Sequence, residues 1–352
     1  MTTSLTHNTL WPGVPLALAS AVLFGAAAPL SKSLSGALDP FMLAGLLYLG
    51  AGFGLAGLGL LPLPRAPEAK LKRSDWPWLA AAIAAGGVAA PTLLMAGLAR
   101  TSASGAALLL NLEALATMGI AWVVFRENVD FRLLIGAFAI LAGAAVVAWS
   151  GEGAALDLGA LLVAAACLAW GVDNNLTRKI SAADPVMITI WKGCVAGCVN
   201  VGLALAAGSA FPEVSKALEA MLIGFFCVGV SLVLYILALR RLGAARTGAY
   251  YSLAPFVGAA LSIVALGEPV TTRLIVAGLM MGFGLWLHLI ERHEHDHRHE
   301  AMAHDHIHTH DAHHQHAHEG TVTEPHSHPH CHEPFTHAHA HYPDLHHRHE
   351  HT

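Results

Sequence analysis

Three ionisable residues lie within long apolar stretches of the sequence and are the first candidates for chemistry. Glu113, Asp173 and Lys192 each stand in an apolar stretch of about twenty residues, the length that crosses a bilayer as a helix. A charge at the centre of such a helix costs about 2.5–3.5 kcal/mol on insertion scales, so each residue is expected to serve a function and to have a partner. The pattern predicts a polar binding site inside an apolar helical protein.

The candidate site also includes polar and aromatic residues near these charges. Its predicted members are Asn111, Glu113, Asp173, Asn174, Lys192, Tyr250 and Tyr251. We expect Glu113 to handle a proton or a cation and Lys192 to contact an anionic group. At 1.5 Å per helical residue, Glu113 lies roughly 15 Å from one face of the membrane and Lys192 roughly 10–12 Å from the other. Lys192 can therefore pair with Glu113 or with Asp173.

Structural alternatives stand beside these interpretations. The charges can form a buried ion pair or hydrogen-bonded network that only fixes helix packing, and the tyrosines can be interfacial aromatic residues. Cys194 and Cys198, four residues apart, have thiolates that suit Cu(I) or Zn(II). The favoured interpretation of the cysteines is close helix packing, which small residues permit in membranes.

The composition separates the chain into two regions with different solvents. The 352 residues are 55% hydrophobic and 12% charged, with a mean hydropathy of +0.54, whereas a soluble domain carries about a quarter charged residues. All but two of the 25 histidines follow Glu291, in a tail that is acidic and nearly devoid of apolar clusters. The remainder has only a small positive charge, which excludes an extended nucleic-acid surface.

Helices are the predicted elements, because each stretch must pair its own main-chain polar groups within lipid. We predict an all-α polytopic membrane protein with ten transmembrane helices in two inverted five-helix repeats. The predicted spans are 13–31, 40–62, 76–98, 103–125, 131–150, 156–176, 185–208, 218–239, 246–266 and 272–290. The predicted regions are a short cytoplasmic N-terminus over 1–12, repeats over 13–150 and 151–290, and a disordered histidine-rich cytoplasmic tail over 291–352.

Ordered sequence markers recur in the two halves. Phe24-Gly25 recurs as Trp170-Gly171, Asp39-Pro40 as Asp184-Pro185, Leu98-x-Arg100 as Leu239-x-Arg241, and Glu127-x-Val129 as Glu268-x-Val270. An odd number of spans per repeat places the second copy upside down, which is the architecture of many secondary transporters. Three prolines, Pro29, Pro91 and Pro255, are the positions where we expect helices to be interrupted.

The distribution of basic residues tests the orientation independently. With the N-terminus inside, the cytoplasmic loops hold Arg65, Lys70, Lys72, Arg73, Arg126, Arg132, Arg178, Lys179, Arg240, Arg241 and Arg246. The outer loops hold Lys32, Arg100, Lys216 and Arg273. This bias follows the positive-inside rule and predicts that both termini are cytoplasmic, in the cytoplasmic (inner) membrane of a bacterium.

These motifs give the chain a family resemblance. With an Asp-Pro entering spans two and seven and a Glu ending spans four and nine, residues 13–290 resemble EamA-type members of the drug/metabolite transporter superfamily. Gly267-Glu268-Pro269-Val270 matches the family's Gly-Glu motif, and Arg126-Glu127-Asn128-Val129 matches it without the Gly. The family's basic residue seven positions after the span's Pro corresponds to Lys192 in the second half, whereas Leu47 occupies that place in the first.

The resemblance implies a secondary-type transporter that moves a small solute by alternating access. We expect an exporter of a small organic metabolite or amino-acid-like solute, embedded in a lipid bilayer, with a homodimer as its expected assembly and no required cofactor. The alternative is an exporter of Zn, Ni or Co whose histidine-rich cytoplasmic tail collects the metal. A membrane enzyme is a remote alternative, because the sequence has no nucleophile motif, phosphate loop or zinc-protease spacing.

The tail predicts metal affinity through its His-x-His repeats. Neutral imidazole binds Zn, Ni and Co, and the neighbouring acids add charge attraction. The predicted ligands are His293, His295, His297, His299, His304, His306, His308 and His310. The alternative is a solubilising or pH-sensitive tail whose metal affinity is incidental.

Overall fold

The membrane part of the chain is a bundle of helices. A computed structural model describes residues 13–59, 69–125, 131–149, 157–180, 183–235, 237–238 and 250–289, together with four short strands in the tail. Its α-helices are α1 (Gly13–Leu34), α2 (Pro40–Gly59), α3 (Trp76–Ala82), α4 (Ala90–Leu98), α5 (Ala103–Leu109), α6 (Leu112–Phe125), α7 (Phe131–Ala148), α8 (Leu158–Lys179), α9 (Pro185–Ala206), α10 (Val214–Gly224), α11 (Ala254–Leu266) and α12 (Thr272–Leu289). A 3-10 turn (Arg73–Asp75) precedes α3, and π-helical segments follow α3 (Ile83–Ala89) and α10 (Phe225–Val230).

Seven helical stretches are long and apolar enough to cross a membrane. They are Gly13–Leu34, Pro40–Gly59, Arg73–Leu98, Ala103–Val124, Leu158–Thr177, Val186–Ala206 and Val214–Tyr235. Three shorter apolar helices, Leu134–Ala148, Ala254–Leu266 and Thr272–Leu287, occupy the remaining predicted spans. Large apolar side chains such as Val123, Val264 and Leu279 are exposed on the outside of the bundle, as lipid contact requires.

Where the structure describes them, the helix ends agree with the predicted spans to within a few residues, with two internal differences. The predicted span over 103–125 is interrupted by a turn at Leu110 and Asn111, between α5 and α6. The predicted span over 246–266 is described only from Tyr250, and a turn separates its first residues from the start of α11.

The two Asp-Pro motifs begin equivalent helices in the same way. The Asp39 carboxylate accepts hydrogen bonds from the main-chain N–H groups of α2, with a distance of 2.9 Å to Phe41 N. Asp184 does the same for α9, with 2.8 Å to Val186 N. A carboxylate at the N-cap satisfies N–H groups that have no helical acceptor, and the proline that follows loses no hydrogen bond in the first turn.

Helices α2 and α9, which these motifs begin, pack against each other in opposite directions. A Cβ atom at Gly45 would lie 2.7 Å from Val201 Cγ2, and one at Gly52 would lie 2.6 Å from the main-chain N of Cys194. Contacts therefore move backwards along α9 as they move forwards along α2. The glycines are required here because no side chain fits between the two main chains.

The last helices of the two halves show the same relation. A Cβ atom at Gly143 of α7 would lie 2.8 Å from Met281 Cγ, and one at Gly284 of α12 would lie 2.8 Å from Ile140 Cγ1. Helices α7 and α12 are thus also antiparallel. A buried core of small and aliphatic side chains joins these pairs, with Met42, Leu43, Leu98, Ile140 and Met281 at its centre.

A carboxylate also connects the two halves. Glu268, just after α11, accepts hydrogen bonds from Ala103 N at 2.7 Å and Ser104 N at 2.9 Å, at the start of α5. The Gly-Glu motif of the second half therefore caps a helix of the first half. Its counterpart Glu127 lies outside the described residues.

The prolines affect their helices differently. Pro29 lies within the uninterrupted α1. Pro91 follows a π-helical segment, and Pro255 stands in the first turn of α11, directly after a turn. The π-helical segments at Ile83–Ala89 and Phe225–Val230 occupy the corresponding third helix of each half.

The tail contains two pairs of antiparallel strands. They are β1 (Glu294–Arg298), which pairs with β4 (Thr336–Ala340), and β2 (Met302–His308), which pairs with β3 (His326–His332). The predicted ligands His293, His299 and His310 lie outside the described residues, as does the N-terminus over 1–12. Disorder of the tail as a whole stays a prediction.

Close packing of α2 on α9 predicts unequal effects of two glycine substitutions on one helix. Gly52→Ala places a methyl group against the Cys194 main chain, whereas nothing lies within 4 Å of a Cβ atom at Gly57. Because overpacking costs about 1–3 kcal/mol, we expect Gly52→Ala to lower the unfolding temperature in detergent. Gly57→Ala, the matched control, should leave it unchanged or raise it. Equal effects of both substitutions would show that the helices do not pack as described.

Candidate functional site

An ion pair joins helices α8 and α9 of the second half. The Lys192 ammonium donates to both carboxylate oxygens of Asp173, at 2.7 and 2.6 Å. The Thr177 hydroxyl, one turn further along α8, donates to Asp173 Oδ1 at 2.8 Å. The two charged side chains are 18% and 6% exposed. The sequence allowed Lys192 to pair with Glu113 or with Asp173, and in the structure Lys192 pairs with Asp173.

Glu113 lies in a second polar group, between α6 and α8. Its Oε1 accepts from the amide nitrogen of Asn174 at 2.9 Å, and that nitrogen also contacts Thr117 Oγ1 at 3.1 Å. Asn175 donates to the Thr117 main-chain oxygen at 3.1 Å. Because α6 belongs to the first half of the chain and α8 to the second, this group spans the boundary between the halves.

One turn of α8 supports both groups. Asp173 faces Lys192 on α9, and the adjacent Asn174 faces Glu113 on α6. Glu113 is also within electrostatic range of both Asp173 and Lys192. The site thus presents two carboxylates and one ammonium group to a shared region of the bundle.

A π-helical segment in the third helix of the first half lies against the ion pair. A Cβ atom at Gly86 would overlap the Asp173 carboxylate, so only glycine allows the carboxylate to approach this main chain. In the surrounding π-helical segment Ala90 N donates to Ala85 O, and Pro91 has no N–H to donate. The carbonyl of Gly86 consequently lacks its main-chain donors.

Side chains from other helices replace those missing donors. The Tyr48 hydroxyl on α2 donates to Gly86 O at 2.8 Å, and the Trp170 indole N–H on α8 donates to the same oxygen at 3.1 Å. Asn200 on α9 donates to Gly87 O at 3.0 Å. These bonds hold α2, α8 and α9 around the widened turn, which is where the ion pair lies.

The two predicted tyrosines occupy different places. Tyr251 contacts the rings of Phe24, at 5.4 Å between centroids, and Tyr235, at 4.7 Å. Glu113 is within electrostatic range of Tyr251, so this aromatic group lies near the polar site. Tyr250 packs instead against a small cluster with Ala17.

Asn111 lies apart from the polar groups. It is 6% exposed, donates to Leu108 O at 2.8 Å and approaches Met281 Sδ at 3.9 Å. These bonds satisfy the main chain where α5 ends and α6 begins. The structure therefore brings Glu113, Asp173, Asn174 and Lys192 together with Tyr251 nearby, and it places Asn111 and Tyr250 elsewhere.

Several polar residues of the site were absent from the sequence prediction. Thr117 and Thr177 each stand four residues after a predicted carboxylate, Glu113 and Asp173, a spacing that places both members on one helix face. That spacing was available in the sequence. Tyr48 and Asn200 had no comparable signal, because each binds a carbonyl freed by a distant π-helical turn.

The cysteines and the described metal donors give no indication of a metal centre in the membrane part. Cys194 lies at the contact of α9 with Gly52, and Cys198 is exposed on the same helix. Within the residues that the structure describes, no group of three His, Cys, Asp or Glu side chains could hold a metal ion.

Comparison with known families identifies the membrane part. The model of the EamA-like transporter family matches twice, over residues 11–149 and 157–290. The chain belongs to the EamA-like transporter family. Its predicted resemblance to EamA-type members of the drug/metabolite transporter superfamily is thereby confirmed, and it is a multi-pass integral membrane protein of transporter type.

Two relatives extend over most of this EamA-like chain. An uncharacterized transporter of Methanothermobacter thermautotrophicus is 28% identical over 295 residues, which are 79% of this chain and 86% of the relative. A protein named "Probable terminal-alkyne amino-acid exporter", from Streptantibioticus cattleyicolor, is 27% identical over 251 residues, 67% of this chain and 84% of the relative.

A solved crystal structure shares the fold of this EamA-like chain. It superposes with a TM-score of 0.57 at 21% sequence identity, and the match covers 78% of this chain and 95% of the other. At this identity the likeness concerns the fold alone.

The buried ion pair predicts that removing one partner is worse than removing both. Asp173→Asn or Lys192→Met leaves an unpaired charge, which costs about 3–5 kcal/mol in buried pairs. We expect each single variant to unfold at a clearly lower temperature than the double variant. The exposed pair Lys216–Glu219, 3.3 Å apart, is the control, because such pairs contribute about 0–1 kcal/mol. A double variant as unstable as the sum of the two singles would rule out coupling between Asp173 and Lys192.

Proposed function

We propose that this chain exports small zwitterionic solutes of the amino-acid type by alternating access. The observation that carries the proposal is the placement of Glu113 and the Asp173–Lys192 pair around one turn of α8, with Asn174 between them. The proposed substrate contacts are Glu113, Asn174, Asp173 and Lys192, and Tyr251 supplies an apolar wall. The amino-acid exporter among the relatives supports the choice of solute and direction.

The charges of the site match the two ends of such a solute. An ammonium group of the solute pairs with Glu113, while its carboxylate competes with Asp173 for Lys192. Charge-assisted hydrogen bonds of this kind are roughly twice as strong as neutral ones, so a zwitterion is favoured over a neutral solute of the same shape. The site then has two electrostatic states, one in which Asp173 is paired with Lys192 and one in which Lys192 is paired with the carboxylate of the solute.

The proposed membrane arrangement has ten spans, with the three shorter apolar helices included. The antiparallel packing of α2 on α9 and of α7 on α12 supports two halves of opposite orientation. Both termini are placed in the cytoplasm, and the membrane is proposed to be the bacterial inner membrane, on the charge bias of the loops. Movement of one half against the other exposes the central site to each face in turn. Assembly as a homodimer stays a prediction.

Efflux from proteoliposomes tests the proposal. Vesicles are loaded with a mixture of α-amino acids, aliphatic amines and organic acids, and release is followed by mass spectrometry with and without a pH gradient. We expect the wild type to release amino acids selectively. Glu113→Gln keeps the acceptor for Asn174 but loses the charge, and should slow efflux about 10–100-fold, the equivalent of one charge-assisted hydrogen bond.

Two controls separate transport from stability. Asp173→Asn/Lys192→Met removes the ion pair without leaving an unpaired charge, and a folded but inactive double variant supports a role in transport. Lys216→Gln, at an exposed pair outside the site, should transport like the wild type. Selective release of organic acids or amines would refute the zwitterion proposal. An unaltered pH-gradient response in Glu113→Gln would exclude the expected handling of a proton by this carboxylate.

We also propose that the tail binds Zn, Ni or Co. Its strand register supports this: His304 pairs with His330, His306 with His328, and His308 with His326. In the other strand pair, His295 is opposite His339 and His297 is opposite His337. In both strand pairs, histidines of one strand are thus opposite histidines of the other at every second position of the register.

Calorimetry on the full chain and on a chain ending at residue 290 tests tail binding. We expect the full chain to bind several Zn ions with micromolar or tighter affinity, because neutral imidazole is a common zinc ligand. The shortened chain should bind none, and its efflux of amino acids should equal that of the full chain. Binding no tighter than millimolar would exclude metal collection by the tail, and zinc release from loaded vesicles would favour metal transport.

A further inference from the structure

A polar cavity lies at the end of the bundle remote from the ion pair. It has a volume of about 630 Å³ and is lined by residues from the end of α1, the end of α4, the start of α5 and the start of α12. Asp157, at the start of α8, also lines it. Asp173 is roughly 24 Å further along the same helix, at 1.5 Å per residue. The cavity is therefore distinct from the candidate transport site.

Three cations from separate helices face this cavity. Lys32 lies in the last turn of α1, Arg100 follows α4, and Arg273 lies in the first turn of α12. Their hydrogen bonds go to main-chain carbonyls: Lys32 donates to Leu98 O and, at 2.7 Å, to Thr101 O, Arg100 donates to Ala96 O at 2.7 Å, and Arg273 donates to Trp149 O. Within the described part of the chain, none of the three forms an ion pair with a carboxylate.

The nearby carboxylates are engaged by main-chain N–H groups. Asp157 accepts from Gly159 N at 3.2 Å and Ala160 N at 3.1 Å. Glu268, which is within electrostatic range of Lys32, accepts from the first N–H groups of α5. Because helix N-termini carry partial positive charge, they offset these carboxylates. The cavity thus keeps an excess of positive charge.

The other basic residue predicted on this membrane face behaves differently. Lys216 pairs with Glu219 at 3.3 Å. The three basic residues without such a partner are the three that line the cavity. Basic residues on the outer face run against the positive-inside bias, so their concentration in one cavity calls for a specific use.

We propose that this cavity binds the carboxylate or phosphate group of a small soluble anion. Arginine offers planar pairs of N–H donors that match such groups, and two arginines with one lysine can surround one anion. The site goes beyond the proposed transport function, because it lies outside the central site and does not require Glu113 or Lys192. In the proposed orientation it faces the exterior, where it would hold an anion at the outer opening of the transporter.

Binding is measured on purified protein in phosphatidylcholine nanodiscs. Inorganic phosphate and succinate are titrated in separate experiments, with sodium chloride holding the ionic strength constant. Tryptophan fluorescence reports on Trp149, which lines the cavity, and the unfolding temperature reports on ligand binding independently. We expect at least one of the two anions to give a saturable fluorescence change and to raise the unfolding temperature.

Variants locate the response in the cavity. Arg100→Gln and Arg273→Gln should each raise the half-saturating concentration at least about tenfold, the effect of losing one charge-assisted hydrogen bond. Lys216→Gln, the matched control, should bind like the wild type. Trp149→Phe should lose the fluorescence change and keep the thermal stabilisation. Glu113→Gln should retain both responses, which distinguishes this cavity from the central site.

Several results would overturn the proposal. They are the absence of a saturable response to either anion at millimolar concentration, an equal loss in Lys216→Gln, and loss of the response in Glu113→Gln. Nanodiscs that contain phosphatidylglycerol distinguish a lipid headgroup from a soluble anion. If that lipid alone abolishes the response, the cavity holds a headgroup and the soluble-anion proposal is wrong.

Discussion

A main-chain carbonyl that loses its helical donor inside a bilayer must find another donor within the protein, and this constraint organises the centre of the bundle. The π-helical turn before Pro91 leaves Gly86 O without main-chain donors, and Tyr48 and Trp170 supply them from α2 and α8. Three helices are thereby fixed around a widened turn. The Asp173 carboxylate fits there because residue 86 has no side chain.

The polar site follows from the same frame. Since Trp170 holds one turn of α8 against the third helix, the next turn presents Asp173 to α9 and Asn174 to α6. Each carboxylate has a threonine one turn later on its own helix. Thr177 donates to the Asp173 carboxylate, and Thr117 donates to the main-chain oxygen of Glu113. Satisfied hydrogen bonds of this kind are what permit charges at membrane depth. Packing and electrostatics therefore depend on the same few side chains.

Much of this arrangement was predictable from the sequence, because its signals are local. The length of the apolar stretches predicted the helices, and the Asp-Pro pairs predicted two equivalent helix starts. Glu113, Asp173 and Lys192 were singled out because charged residues are rare in apolar stretches. Pro91 predicted an interruption of its helix, but the break at Asn111 and the π-helical form of the two turns were not predicted, because hydrophobic periodicity is absent from helices that are apolar on every side. The partners Tyr48 and Asn200 depend on tertiary contacts, so no spacing in the sequence could reveal them. The excess of cations in the cavity remote from the ion pair became visible only when three distant chain segments were brought together.

The position of Glu268 has a consequence for the independence of the two halves. Its carboxylate satisfies the first N–H groups of α5, which belongs to the other half. A single half on its own would leave those groups unpaired, and it would also expose the glycine surface of α2 that α9 covers. The two halves therefore depend on each other for main-chain hydrogen bonds and for helix packing, and each is expected to be stable only when the other is present.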